Sequence, residues 1–254
     1  VVRKLITIKR RTAAEGQPAG AGGFRYRGHE IRRIETFSDA VFAFAVTLLI
    51  VSLEVPRTFE ELLISMRGFV AFGICFCLLL LIWHEQHVFF RRYGLDDVPT
   101  IALNAALLFI VLFYVYPLKF LFTLIFSDNI YGTGHSPFSI KEGQVVGLMT
   151  IYGVGYMIIY LLFLLMYIHV LRCKDRLQLT PPEIFDTRTK LYAQAILVGI
   201  GALCTLLAHL LPTRYAGLSG MGYMLIAPAF WIYFSRRGRM RRMTWGKIIP
   251  SSGS

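Results

Sequence analysis

The sequence has little charge, and less of it negative than positive: 17% of its 254 residues are charged, 15 acidic against 27 basic. An ordinary soluble domain carries about 25% charge and about 45–50% apolar residues; here 56% are hydrophobic and the mean hydropathy is +0.57. The apolar excess lies in long uncharged runs, with the charge packed between them. That excludes a soluble globular enzyme as the leading reading and points to a polytopic membrane protein. Cysteine is scarce, with four in all: Cys75, Cys77, Cys173 and Cys204. Cys75 and Cys77, two apart in an apolar run, point to different faces of a helix, and no zinc-binding spacing is present. They read as reduced, structural thiols. Catalytic signatures are missing too. There is no serine nucleophile elbow and no His-Glu-x-x-His, and the apolar runs hold a single aspartate, so no intramembrane enzyme is expected.

What is present is a set of six apolar runs, near 36–55, 66–90, 100–126, 144–169, 190–211 and 217–235. Each is long enough for a helix to cross a hydrocarbon layer of about 30 Å, which takes about 20 residues. The basic residues fix the orientation. Residues 1–33 hold nine, the loop at Arg91 and Arg92 two, residues 172–190 five and the tail six, so one side carries 22 of the 27. The positive-inside rule then places both termini in the cytoplasm of a multi-pass protein of the cell (inner) membrane. The net charge of +12 is therefore a topology signal, not a nucleic-acid footprint. Residues 1–33 read as a basic cytoplasmic leader without the apolar core of a signal peptide. Residues 34–236 form the six-helix domain and 237–254 a basic tail, of which Ser251–Ser254 read as a remnant of the expression vector. The lipid bilayer is the expected partner, with no nucleic acid and no soluble protein inferable.

Polar residues inside spans are costly and usually functional. Span one opens with Arg33, Ser38 and Asp39. Span two runs back to the same side and ends Trp83-His84-Glu85-Gln86-His87, and span three enters there with Asn104. Arg33, Ser38, Asp39, Trp83, His84, His87 and Asn104 thus share one depth. A hydrogen-bond network is expected, with Asp39 accepting from Arg33, a histidine or the Trp83 indole. It either locks three helices together or supports whatever moves along span one. His84 and Glu85 do not make a metal site, because no third ligand is apparent.

Deeper in span one, Phe44, Thr47, Leu48 and Val51 fall along one stripe. Facing a partner, the stripe is ordinary packing; facing a pore, it makes a bulky apolar ring and a ring of hydroxyls. Thr47 either donates back to its own helix or supplies oxygen ligands. The segment Thr150-Ile-Tyr-Gly-Val-Gly-Tyr156 has the wrong order for a carbonyl filter and lies midway in an apolar span. Gly143, Gly147, Gly153 and Gly155 read instead as a close-packing face.

The run from Arg33 through Phe37-Ser38-Asp39 to Thr47-Leu-Leu resembles the helix-one signature of the FSD-motif potassium channels, bacterial relatives of the endolysosomal potassium channel. Trp83-His84-x-x-His87, Asn104 and Pro117 also resemble that family. The resemblance implies a cation channel that favours potassium, with no cofactor and no metal beyond the permeant ion. It implies an all-α fold in which helix one of each chain lines the central pore of a homotetramer, without a carbonyl filter. The family constriction, five residues after the aspartate, falls on Phe44, where Ile or Leu is usual. Either the phenyl ring narrows the pore or it turns aside and leaves Leu48 or Val51 as the gate. Thr47 matches the family threonine. From the residues alone, a proton channel or proton-coupled carrier using Asp39, His84 and His87 is the alternative, although no internal repeat of a carrier is visible.

Overall fold

The computed structural model describes residues 24–28, 31–51, 57–126 and 142–245. The leader as far as Gly23, residues 127–141, the tail beyond Trp245 and the side chain of Val51 lie outside them. Among the described residues the elements are helical: α1 (Arg33–Val51), α2 (Phe59–Arg67), α3 (Phe69–Tyr93), α4 (Val98–Ile125), α5 (Glu142–Arg172), α6 (Pro181–Leu210), a 3-10 segment (Thr213–Leu225) and α7 (Ile226–Trp245). Five stretches among the described residues are long and apolar enough to cross a membrane: Phe59–Tyr93, Val98–Ile125, Gly143–Arg172, Pro181–Leu210 and Gly217–Met240. Helix α1, the remaining expected span, is 19 residues long and carries Arg33, Glu35 and Asp39 in its first two turns.

Local chemistry explains the boundaries. Helix α3 ends where Gly94 adopts φ +55°, a left-handed conformation that L side chains rarely take, and its N–H closes the last turn on the Phe90 carbonyl at 2.8 Å. Four residues on, α4 starts at Val98 with Pro99 in its first turn. The Asp97 side chain accepts from Thr100 there, from its N–H at 3.4 Å and its hydroxyl at 2.5 Å. Burial works to raise the Asp97 carboxyl, but the hydrogen bonds from Thr100 and His169 outweigh it and hold the group below its ordinary range.

Two spans differ from expectation. Span five, expected from residue 190, begins at Pro181, because the paired prolines suit a first turn and the Glu183 carboxylate caps the Thr180 N–H at 2.9 Å. Span six, expected as one α-helix over 217–235, is wound as 3-10 through Leu225 and is α-helical only from Ile226 to Trp245. Gly217, Gly220 and Gly222 weaken the α-helix there, and the segment is held by packing on α5 and α6.

Helices α5 and α6 pack closely through small residues: a Cβ on Gly153 would fall 2.0 Å from Thr205 Oγ1. Gly155 packs on Tyr114 in the same way, whereas Gly143 and Gly147 face open space and take no part in that contact. The Thr150–Tyr156 segment is continuous helix within α5.

At the basic end, an aromatic cluster closes the bundle. Phe24, Phe89, Phe90, Tyr93 and Tyr167 are each 2% exposed or less, with edge-on ring contacts at 5.5–5.7 Å. The short segment around Phe24 is latched there by Arg27, which donates to Glu183 Oε2 at 2.8 Å on α6. Arg32, just before α1, pairs with Asp96 in the α3–α4 loop.

Candidate pore-lining face and polar tier

The two faces of α1 are built differently. One carries Ser38, Phe42, Ala45 and Leu49, spaced four, three and four, and each is 5% exposed or less against α3 and α4. At its far end the Lys119 ammonium of α4 donates to the Leu49 carbonyl at 3.1 Å. The other face stands bare in the single chain, with Phe37 62%, Phe44 56% and Leu48 39% exposed. Thr47 is on that face too, and its hydroxyl donates to the Ala43 carbonyl at 3.0 Å. That leaves the acceptor lone pairs of its oxygen free. An apolar cleft of about 270 Å³ opens beside this face between α1 and α3, lined by Phe42, Ala43, Val46, Leu79 and Leu80 with Asp39 and Trp83 at its polar end.

The polar tier is two sets of bonds. In one, Gln86 Nε2 on α3 donates to Asn104 Oδ1 on α4 at 2.7 Å. Asn104 Nδ2 donates to Ser38 Oγ on α1 at 2.9 Å, and Ser38 donates to the Ile34 carbonyl at 2.7 Å. Gln86, Asn104 and Ser38 are each 2% exposed or less, so the chain satisfies groups that lipid would leave unpaired. In the other, the Trp83 indole donates to Asp39 Oδ1 at 2.7 Å, and its ring stacks on His87 at 5.3 Å.

The structure therefore brings Ser38, Asp39, Trp83, His87 and Asn104 to one tier. Arg33 and His84 are exposed, and among the described residues neither is bonded to Asp39. The missed member is Gln86, and the helical phase was its signal. The buried stripe of α3 runs Leu79, Ile82, Gln86, Phe89, Tyr93, spaced three, four, three and four, and Gln86 falls on it while His84 does not.

Glu85, one residue away, points elsewhere. It accepts from Tyr167 on α5 at 2.7 Å, and from Lys190 at 2.7 Å and Gln194 at 3.1 Å on α6. This second cluster joins the half of the bundle holding α1 to the half holding α5 and α6.

Long apolar helices, a polar tier closed within the chain and one apolar helix face left bare define a multi-pass α-helical membrane protein. The family model of the endosomal/lysosomal potassium channel TMEM175 matches residues 33–114, from the first turn of α1 to Tyr114 in α4. A protein of Marivirga tractuosa named as a potassium channel is 41% identical over 221 residues, which span 83% of this chain and 89% of that protein. The chain belongs to the TMEM175 potassium channel family. A solved variant of the potassium channel MtTMEM175, crystallised with a Nanobody-MBP fusion protein, superposes with a TM-score of 0.76 at 37% identity, over 86% of this chain and 98% of that one. A lysosomal potassium-selective channel TMEM175 homolog from Chamaesiphon minutus shares the fold, with a TM-score of 0.54 at 21% identity over 81% of this chain and 96% of that one. The relatives are named as channels, which are not enzymes.

Proposed function

We propose that this chain is a potassium-selective channel of moderate selectivity. Four copies assemble around a central axis, and the bare face of α1 lines the path. The observation that carries this reading is the asymmetry of α1, whose one face is completed by its own chain and whose other is apolar, continuous and uncovered. One helix cannot enclose a path, and several copies around an axis can. In that arrangement the rings of Phe44, with Leu48 beyond, form a constriction that gates by dewetting. Thr47 presents hydroxyl oxygens to a cation that has lost part of its hydration, a weaker discriminator than a cage of carbonyls.

The membrane is the cell membrane and the basic end is cytoplasmic, in line with the distribution of Lys and Arg. The tier of Ser38, Asn104 and Gln86 keeps α1 at a fixed rotation, so that the same stripe always faces the axis. The proton-pathway alternative is not favoured: Asp39 is tied to the Trp83 indole and His84 stands apart.

The test is a planar-bilayer recording on purified protein under separate potassium, sodium and pH gradients. A reversal potential that follows the potassium gradient, with a measurable sodium permeability, is the expected result. A reversal potential that follows the pH gradient overturns the reading.

A further inference from the structure

The basic end also gathers three side chains that neither the polar tier nor the bare face uses. Asp97 caps the start of α4, and His169 and Cys173 stand one turn apart at the end of α5. His169 Nε2 lies 2.9 Å from Asp97 Oδ2 and 3.7 Å from Cys173 Sγ. One ligand atom from each of the three falls within 4.8 Å of the others.

Those separations bracket the edges of a coordination shell. Zinc holds a histidine nitrogen at about 2.0–2.1 Å, a thiolate at about 2.3 Å and a carboxylate oxygen at about 2.0–2.2 Å. At tetrahedral angles the nitrogen then sits about 3.6 Å from the sulfur and about 3.4 Å from the oxygen. The nitrogen–sulfur pair already lies within about 0.1 Å of that spacing, the nitrogen–oxygen pair opens by about 0.5 Å, and the sulfur–oxygen pair, within 4.8 Å, closes toward about 3.6 Å. The surroundings also fit. The Asp97 and His169 side chains are 16% and 17% exposed, and Cys173 is half-buried, so the cluster is sheltered yet reachable. Thr100 donates to Asp97 Oδ1 and leaves Oδ2 turned toward His169, which is how an outer partner orients a carboxylate ligand. One cation opposes binding: Arg176 Nη1 lies 3.3 Å from Asp97 Oδ2, on a side chain that is 61% exposed and free to swing into solvent.

We propose that Asp97, His169 and Cys173 form a three-ligand site for a zinc-class divalent cation, with a fourth position open to water. A thiolate and an imidazole together select a borderline-soft ion over magnesium or calcium. Binding releases the Cys173 thiol proton to solvent, and the hydrogen that His169 Nε2 donates to Asp97 shifts to Nδ1 or leaves with it, freeing the Nε2 lone pair. The bound ion ties the last turn of α5 to the α3–α4 loop, whose Asp96 pairs with Arg32 ahead of α1. Sequence spacing does not reveal the site, because Asp97 lies 72 residues from His169.

The test is a Co²⁺ titration of the full chain, purified in detergent without a polyhistidine tag. A thiolate-to-cobalt charge-transfer band that Zn²⁺ displaces is the expected signature. Cys173→Ser should abolish the band, His169→Gln should weaken binding about tenfold or more, and Cys77→Ser should leave it intact. Arg176→Ala should tighten binding several-fold, a gain that misfolding cannot produce. Absence of the band in the wild-type chain, or a band that survives Cys173→Ser, overturns the proposal. So does an Arg176→Ala variant that binds no tighter. None of these readouts depends on potassium flux.

Discussion

The two faces of α1 share a backbone and a membrane depth, and yet they answer to different partners. Ser38, Phe42, Ala45 and Leu49 are buried by α3 and α4, and the one hydroxyl among them is drawn into a bond with Asn104. Phe37, Phe44, Thr47 and Leu48, on the other side, touch little of their own chain. In water a bare phenylalanine stripe would be a liability, but in a bilayer it is tolerated. The difference between the faces is therefore one of completion, not of hydrophobicity. One face is finished by folding, and the other is left for lipid or for further copies.

That contrast can be broken at several places. The largest loss is expected from Glu85→Ala, which leaves the Lys190 ammonium unpaired between α3 and α6. Removing one partner of a fully buried pair costs about 3–5 kcal/mol. With Lys190 26% and Glu85 17% exposed, the loss read from the denaturation midpoint falls toward the lower end, and the double change Glu85→Ala with Lys190→Met recovers part of it. Next comes a neighbouring pair on α1. Leu49, 1% exposed, should cost about 2 kcal/mol or more as Leu49→Ala. Leu48, 39% exposed, should cost less than half of that as Leu48→Ala; equal losses would mean that the faces do not differ. Phe44→Ala should leave the midpoint of the single chain within about 0.5 kcal/mol of wild type and raise potassium flux several-fold in liposomes. Unchanged flux removes Phe44 from the constriction. The smallest effect is expected at Thr47, where Thr47→Ala should shift the potassium/sodium permeability ratio without changing stability, and an unaltered reversal potential argues against it as a ligand.

Much of this was readable before any coordinates. The runs of uncharged residues mark the helices, and Ser38, Asp39, Trp83 and Asn104 fall at one depth because successive spans reverse direction. Rotation about the helix axis was harder to read. Arg33 and His84 share the depth of the tier and stand outside it, whereas Gln86 is inside. The Glu85 cluster joins residues 82 to 109 positions apart, and the Arg27–Glu183 latch joins residues 156 apart. No local pattern marks such pairs. The 3-10 winding before α7 was missed for a related reason. Its glycines permit several conformations, and packing on α5 and α6 selects one.

The sequence by itself determined what lies at which depth. Each helical residue advances the chain by about 1.5 Å, and uncharged length, basic loops and reversal of direction depend on little else. Tertiary structure alone decided which way each side chain turns at that depth. Rotation is fixed by the neighbour a helix packs against, and that neighbour comes from far along the chain. Asn104 turns Ser38 inward, and Phe44 is bare because no described part of its own chain arrives to cover it.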